Sequence, residues 1–308
     1  MISVIIPTYD RAHLIGETLD SIIAQTYPDW ECIIIDDHST DSTDDIINTY
    51  LAKDPRFIYY KKPKHLPKGP SASRNYGLTK ASGDYINWFD SDDLMHPEKM
   101  QIDLKMITSG KYDFTISQSK FFKQDGAKPK KEYWNKNLWS DDPINDFIIL
   151  KIGWSTNAPL WNYKSISKIN LSFHDILITG DDYYYHIQAI NQGLKPIIIN
   201  QDLVKQREHD NRLNDYNLKA PSKIKVNNKI LSFQNDIKLN QASIDFLNKQ
   251  SYLQLNNLLK KRKFVLYLKY LFLLVKSNYN FDIKLKSMSK LPMGLFYLIT
   301  NRGYKFLK

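Results

Sequence analysis

At 308 residues, the chain has room for one large domain or for one domain with an appendage. Its composition, 42% hydrophobic and 25% charged, excludes wholesale disorder, and its single cysteine, Cys32, excludes an internal disulfide and points to a reducing compartment. The formal net charge of +10 is unevenly placed: residues 1–200 hold 22 Lys+Arg against 26 Asp+Glu, a net of −4, and residues 201–308 hold 21 against 7, a net of +14, so an anionic partner is expected for the C-terminal part alone.

Strand-like and helix-like segments alternate through the first 120 residues. Apolar runs at 2–7, 31–35, 57–60, 84–89 and 112–117 predict strands. Helices are predicted at 12–25, where Leu14, Ile15, Leu19, Ile22 and Ile23 share one face, and at 42–51, 71–81 and 97–109. Gly83 stops the third of these helices and Pro97 opens the fourth. Such alternation implies a mostly parallel sheet covered by helices. Residues 123–136 are polar and basic and read as an excursion or flexible loop; a helix is expected over 142–151, another from Asp181 to about Gln192 with Gly193 as its stop, and a last strand over 196–200. From Leu218 the pattern turns to Lys-, Asn- and Leu-rich helices, which places a boundary near 215 and divides the chain into 1–214 and a basic, mainly helical 215–308. The N-terminus, Met1-Ile2-Ser3-Val4-Ile5-Ile6, lacks a basic leader and a long apolar core, so no secretory signal is expected. No apolar run approaches the roughly 20 residues of a spanning helix, so the expected location is cytoplasmic.

In a parallel sheet, ligands bind beyond the carboxyl ends of the strands. Four polar loops sit there: Thr8-Tyr9-Asp10-Arg11, Asp36-Asp37-His38-Ser39, residues 61–74, and Asp90-Ser91-Asp92-Asp93. The last is the most telling. Three carboxylates within four residues repel one another unless a cation or a donor-rich ligand lies against them, and Mg²⁺ or Mn²⁺ takes such oxygen ligands, commonly sharing them with a substrate's phosphates. A solvated acidic turn before the next helix is the plainer alternative.

The chain resembles the family 2 glycosyltransferases of the GT-A fold over residues 3–214. The resemblance rests on six elements in order: Ser3-Val4-Ile5-Ile6-Pro7-Thr8-Tyr9-Asp10-Arg11, Ile33-Ile34-Ile35-Asp36-Asp37-His38-Ser39-Thr40-Asp41, Ser73-Arg74-Asn75-Tyr76-Gly77-Leu78, Asp90-Ser91-Asp92-Asp93, Gly180-Asp181-Asp182-Tyr183 and Arg207-Glu208-His209. It implies a Rossmann-like α/β fold with a mixed, mostly parallel sheet flanked by helices, here followed by a C-terminal helical extension. It further implies a nucleotide-sugar donor, expected to be a UDP-sugar, held by Pro7, Tyr9, Asp10, Asp37, Arg74, Asp90, Ser91 and Arg207, with Tyr9 and Asp37 on the base. Asp92, Asp90 and His209 are the expected ligands of Mn²⁺ or Mg²⁺. Asp182 is the expected catalytic base and Asp181 its companion; the family usually has Glu-Asp here, and Asp181 shortens the first acid by one carbon. The acceptor would be a hydroxyl of a glycan or a lipid-linked molecule, in bacterial surface polysaccharide synthesis.

Two regions are read from their residues alone. Trp154, Ser155, Asn157 and Trp161 have a composition suited to stacking on and hydrogen-bonding an acceptor sugar, and equally suited to core packing of the indoles. Residues 264–275 carry one charge, Lys269, and follow Lys260-Lys261-Arg262-Lys263; a second apolar cluster follows at 295–299. Such segments either lie in an anionic membrane interface at the inner face of a bacterial membrane or cap the catalytic domain. A nucleotidyltransferase is the rival enzyme, disfavoured because Pro7-Thr8-Tyr9-Asp10-Arg11 contains no glycine. A nucleic-acid-binding protein is disfavoured by the acidic first 200 residues, and no nucleic-acid partner is expected.

Overall fold

The structure is a computed structural model that describes residues 1–175, 179–208, 216–232, 238–292 and 294–295. The chain divides into two compact units: residues 1–143, 150–176 and 185–210 form the first, and residues 144–149, 177–184 and 211–308 the second. This division differs from a single cut after residue 214 in giving two short inner segments to the helical unit.

The strands of the first unit are β1 (Ile2–Thr8), β2 (Trp30–Asp36), β3 (Phe57–Lys61), β4 (Tyr85–Trp88), β5 (Leu94–Met95), β6 (Phe114–Phe122), β7 (Trp161–Asn162) and β8 (Pro196–Arg207). They make one sheet in the order β3-β2-β1-β4-β7-β6-β8-β5. The β3-β2-β1-β4 half is parallel throughout, whereas β7 runs antiparallel to both β4 and β6, and β5 antiparallel to β8. Every residue of β1 and of β2 is buried, as expected of parallel strands covered on both faces, and this is why they read as unbroken apolar runs.

Helices α1 (Ile15–Ile23), α2 (Thr43–Lys53), α3 (Pro70–Leu78) and α4 (Lys99–Thr108) follow β1, β2, β3 and β5 respectively. Helix α1 buries Ile15, Leu19 and Ile22 on one stripe, the periodicity visible in the sequence. It starts three residues later than the pattern predicts: residues 12–14 form a tight turn in which the Leu14 and Ile15 N–H groups share the Arg11 carbonyl (2.9 Å each), and Thr43 Oγ1 (2.9 Å) and Asp41 Oδ2 (3.1 Å) accept from the N–H groups of Arg11 and Ala12. Gly77 lets α3 lie close on the sheet: a Cβ there would stand 2.4 Å from Ile5 Cγ2.

The other half of the sheet was less predictable. Strand β6 runs past Ser117 to Phe122, and residues 132–134 return along it through Phe121 N–H to Glu132 O (2.8 Å) and Trp134 N–H to Ser119 O (3.0 Å). Part of the expected flexible excursion is therefore a hairpin arm. Strand β8 continues seven residues beyond Asn200, with a register irregularity against β6 at Gln118.

Two helices cross the division between units, α5 (Pro143–Ile148) and α7 (Asp181–Asn191); a short α6 (Tyr163–Lys168) lies in the first. The second unit holds α8 (Tyr216–Ser232), α9 (Gln241–Lys260), α10 (Phe264–Lys276) and α11 (Phe281–Ser289). Ile224, Ile230, Leu247, Leu255, Leu259, Tyr267 and Leu274 make its core. Asn227 Nδ2 donates to Ser251 Oγ (2.9 Å) between α8 and α9, and the Tyr267 hydroxyl donates to the Ser287 carbonyl between α10 and α11. Among the described residues no helix is long and apolar enough to cross a membrane. Residues 296–299 of the second apolar cluster lie outside the described residues.

Candidate functional site

The four polar loops occupy the carboxyl ends of the parallel strands. The first two are stitched together. Asp10 and His38 take positive φ values of 49° and 65°, a conformation Asp, Asn and His adopt more readily than other side chains. Asp10 N–H donates to Ser39 Oγ (3.0 Å), and Asp10 Oδ1 accepts from Thr40 N–H (2.7 Å). That backbone bond holds the Asp10 carboxyl below its ordinary range. Asp10 thus shapes the loop, while Tyr9 stands at its lip with 49% of its surface exposed. Pro7 is buried within β1 opposite Ile35, and Asp36 holds Ser39 (2.9 Å to its N–H) and the Tyr59 hydroxyl (2.9 Å).

Asp37 is buried and closes the third loop. One of its oxygens faces Lys62 Nζ at 2.5 Å and the other accepts from Gly69 N–H at 2.6 Å. Lys62, itself 1% exposed, also donates to the Pro67 carbonyl (2.7 Å). Gly69, at φ 115°, leads into α3, one turn along which Arg74 projects. Arg74 pairs with Asp90 at 2.7 Å, and its guanidinium lies 5.0 Å from the Phe173 ring centroid.

The acidic turn splits by direction. Asp90 and Asp92 keep 32% and 19% of their side-chain surface exposed, and Asp92 Oδ2 lies 3.7 Å from Arg11 Nε. Ser91 and Asp93 point inward, at 6% and 3% exposure. Asp93 receives Asn157 Nδ2 (2.5 Å), Gln206 Nε2 (3.3 Å) and Arg207 N–H (2.8 Å), and its carbonyl accepts from Thr18 Oγ1 (2.9 Å). Burial and the neighbouring charges of Asp92 and Asp90 push the Asp93 carboxyl well above its ordinary range, and the Arg207 and Gln206 donors pull against them. Arg207 is also a brace: its Nε donates to the Asp92 carbonyl (2.9 Å) and it pairs with Glu17 of α1 (2.9 Å).

The structure thus brings Tyr9, Asp10, Asp37, Arg74, Asp90, Ser91, Asp92 and Arg207 to one end of the first unit. It adds Arg11, Glu17, Lys62, Asp93 and Gln206, whose roles come from contacts across the fold that no local pattern announces. Asp181 and Asp182 begin α7 in the second unit, where Asp182 Oδ1 accepts from Tyr183 N–H (2.8 Å). His209 lies outside the described residues.

The residues expected at an acceptor site are core residues. Trp154, Ser155, Asn157 and Trp161 are each 2% exposed or less, so neither indole offers a face to a sugar. Trp161 stacks on Phe114 (4.3 Å between centroids) and on His186 (6.0 Å), and Ser155 Oγ bonds Ser119 Oγ (2.7 Å). Their mixed polar and aromatic composition fits a core segment as well as a ligand surface, and burial decides between the two. Cys32 is buried and free, and burial pushes its thiol well above its ordinary range, away from nucleophilic use.

Asp90 and Asp92 offer the hard oxygen ligands that suit Mg²⁺ or Mn²⁺, on a turn whose backbone is held from three sides. Among the described residues no group of three or more His, Cys, Asp or Glu side chains is placed to hold a metal ion. The two carboxylates fit such an ion, which commonly takes further ligands from phosphate and water; the third ligand expected from the sequence, His209, lies outside the described residues.

The glycosyl transferase family 2 model matches residues 3–164. Among curated relatives, the putative teichuronic acid biosynthesis glycosyltransferase TuaG of Bacillus subtilis is 32% identical over 152 residues, 48% of this chain and 59% of that protein. The poly(ribitol-phosphate) beta-glucosyltransferase of Bacillus spizizenii is 36% identical over 196 residues, 63% of this chain and 30% of that protein. The chain spans 18% to 59% of the length of the curated relatives it matches. Of solved structures, S. aureus TarS 1-349 in complex with UDP-GlcNAc aligns with a TM-score of 0.66 at 18% identity, over 84% of this chain and 80% of that one. The mannosyltransferase PcManGT of Pyrobaculum calidifontis, in complex with GDP-Man and Mn²⁺, aligns with a TM-score of 0.58 at 16% identity, over 98% and 87%. The fold is accordingly GT-A, and with more than half of its length matched by the family model, the chain belongs to glycosyl transferase family 2.

Proposed function

We propose that the chain is an inverting, metal-dependent glycosyltransferase that moves a sugar from a UDP-sugar to a hydroxyl of a glycan or lipid-linked acceptor, in the synthesis of a bacterial surface polysaccharide. The observation that carries the reading is the acidic turn after β4. Two part-exposed carboxylates stand at the carboxyl end of a parallel sheet, one beside Arg11 of the loop after β1 and the other beside Arg74 of α3. UDP-GlcNAc in TarS supports a uridine donor, and the relatives named for teichuronic acid biosynthesis and for poly(ribitol-phosphate) support the acceptor class.

In this reading Tyr9 covers the uracil face. Asp37 accepts from the base N3–H with a lone pair that Lys62 and Gly69 leave over, since a carboxylate offers about four such sites. Asp90 and Asp92 would hold Mn²⁺ or Mg²⁺ against the diphosphate, with His209 as the expected further ligand. A bound divalent ion there supplies neutralisation of the charge that builds on the leaving nucleoside diphosphate. Arg74 and Arg11, freed as Asp90 and Asp92 turn to the ligand, offer guanidinium donors to phosphate oxygens. Asp182, with Asp181 beside it, takes the proton of the acceptor hydroxyl as that oxygen attacks the anomeric carbon and the diphosphate departs from the opposite side. That displacement inverts the configuration. A thermal-shift screen of nucleotide sugars with and without Mn²⁺ tests the reading: a metal-dependent rise with a UDP-sugar is expected, and no shift with any nucleotide in Mn²⁺ would end it.

We also propose that the helical extension rests on an anionic membrane surface. Val265, Leu268 and Phe272 line one exposed stripe of α10, and Phe281, Leu285 and Met288 one of α11, with exposures from 41% to 81%. Lys261, Arg262, Lys263, Lys269, Lys276 and Lys286 are exposed in the same two helices and their approach, which suits a lipid interface. Flotation with phosphatidylglycerol vesicles checks this: the chain should float, and Phe272→Glu with Phe281→Glu should leave it in the pellet fraction. Equal partitioning of both would remove the idea.

A further inference from the structure

Asn157 has no exposed surface, yet it touches both ends of the acidic turn. Its Oδ1 accepts from Asp90 N–H (3.0 Å) and its Nδ2 donates to Asp93 Oδ2 (2.5 Å). One amide group thus holds Asp90 by its backbone and Asp93 by its side chain, fixing the span on which Asp92 stands. The segment carrying Asn157 is itself held. Asn87 of β4 donates to the Asn157 and Pro159 carbonyls (3.2 and 2.8 Å), and buried Lys99 of α4 donates to the Ala158 carbonyl (2.7 Å). From the other side, Gln206 and Arg207 of β8 donate to the Asp93 carboxylate and Thr18 of α1 to its carbonyl.

We infer that Asn157 and Asp93 are a matched pair of positioning residues: Asp93 is the inward anchor of the turn and Asn157 the clip that sets Asp90 and Asp92 in register for a metal-bound diphosphate. The inference deepens the proposed donor site and rests on it for its ligand, though the bracing itself stands on the hydrogen bonds alone. It also explains how three acids fit in four residues. Asp93 is not a third ligand; it faces amide donors, and only Asp90 and Asp92 face outward. Support of this kind is costly to lose, since removal of residues that orient metal ligands typically lowers metal affinity or activity by about 10–100-fold.

A donor–acceptor exchange tests the pair. In Asn157→Asp a second carboxylate replaces the amide that faces Asp93, and in Asp93→Asn an amide faces an amide. In the double variant Asn157→Asp/Asp93→Asn the bond is restored with its direction reversed and the net charge unchanged. Gln206 can turn its amide to suit, because its Oε1 has no hydrogen-bond partner among the described residues. The probes are UDP with Mn²⁺, measured by titration calorimetry against UDP with chelator, and amide hydrogen exchange over residues 88–95 without ligand. Each single exchange should lower Mn²⁺-dependent UDP affinity by about 10–100-fold and speed exchange of the turn, and the double variant should recover most of both. A double variant as impaired as the singles combined, or single variants that leave turn exchange unchanged, would overturn the inference. Should the wild-type chain bind no UDP in Mn²⁺, the donor reading falls, and the exchange measurements still decide whether the pair positions the turn.

Discussion

The first unit contains two kinds of oppositely charged pair. Lys62–Asp37 and Lys99–Asp103 are closed: their side chains are 1% and 9%, and 2% and 1%, exposed. Each ammonium also finds a carbonyl, Pro67 O or Ala158 O. Arg74–Asp90 and Arg11–Asp92 are open, with acids 32% and 19% exposed. A closed pair seldom adds net stability, because desolvation offsets the attraction, but breaking one strands a charge. The closed pairs therefore hold shape: Lys62–Asp37 sets the loop before α3 and Lys99 sets the segment that carries Asn157. The open pairs hold charge, keeping two part-exposed acids tolerable beside each other.

That contrast can be broken most sharply at Lys99. Lys99→Ala leaves Asp103 buried, with Thr115 as its one remaining donor among the described residues (2.8 Å), and should destabilise the fold by about 3–5 kcal/mol in urea unfolding. Lys99→Met with Asp103→Leu should recover most of that loss; a single variant as stable as the parent would show that the pair is not closed. Asp92→Asn should do the reverse. Its unfolding free energy should stay within about 0.5 kcal/mol of the parent, while Mn²⁺-dependent UDP affinity falls by at least about 100-fold, the upper end for residues that only support a ligand. A large loss of stability with binding intact would move Asp92 to the closed class.

His186 is a third kind of buried group and gives the smallest effect near neutral pH. Burial first, and the Arg74 charge second, lower its pKa from 6.5 to about 3. Below 6.5 the unfolded chain binds a proton that the native state refuses. His186 therefore costs stability progressively as pH falls from 6.5 toward 3 and nothing above that range. Replacing it with Phe should flatten the pH dependence of the urea midpoint between about 6.5 and 4 and leave pH 8 unchanged in slope. An unchanged slope would mean that the native state takes the proton.

The parallel half of this fold was legible because its physics is local. Continuous Ile and Val runs mark β1 and β2, and the alternating helices announce a parallel sheet with ligand loops at one end. The other half was not. Strands β5 and β7 are two residues each, too short for any period, and the polar residues Gln118 and Lys120 hide the continuation of β6. In the site, residue types were readable and partners were not. Arg74 was identifiable, but that it meets Asp90 and not Asp37 depends on how α3 lies against β4. Trp154, Asn157 and Trp161 resembled a sugar surface because burial has no sequence signature in a segment without period. Asp93 received no role from the sequence, and its donors, from Asn157, Gln206 and Arg207, show it to be the inward acid of the turn.

The anchors of Asp93 lie 64, 113 and 114 residues further along the chain, and the Arg207–Glu17 pair spans 190. Such closures are slow, because loop entropy must be lost before the contacts form. During synthesis the acidic turn leaves the ribosome long before β8 exists to hold it. A nascent chain with β1 to β4 already paired therefore carries an acidic turn whose carboxylates have no fixed spacing. The docking of the last strand both completes the sheet and brings those acids into register, so the turn gains its final spacing only once residue 207 has been made.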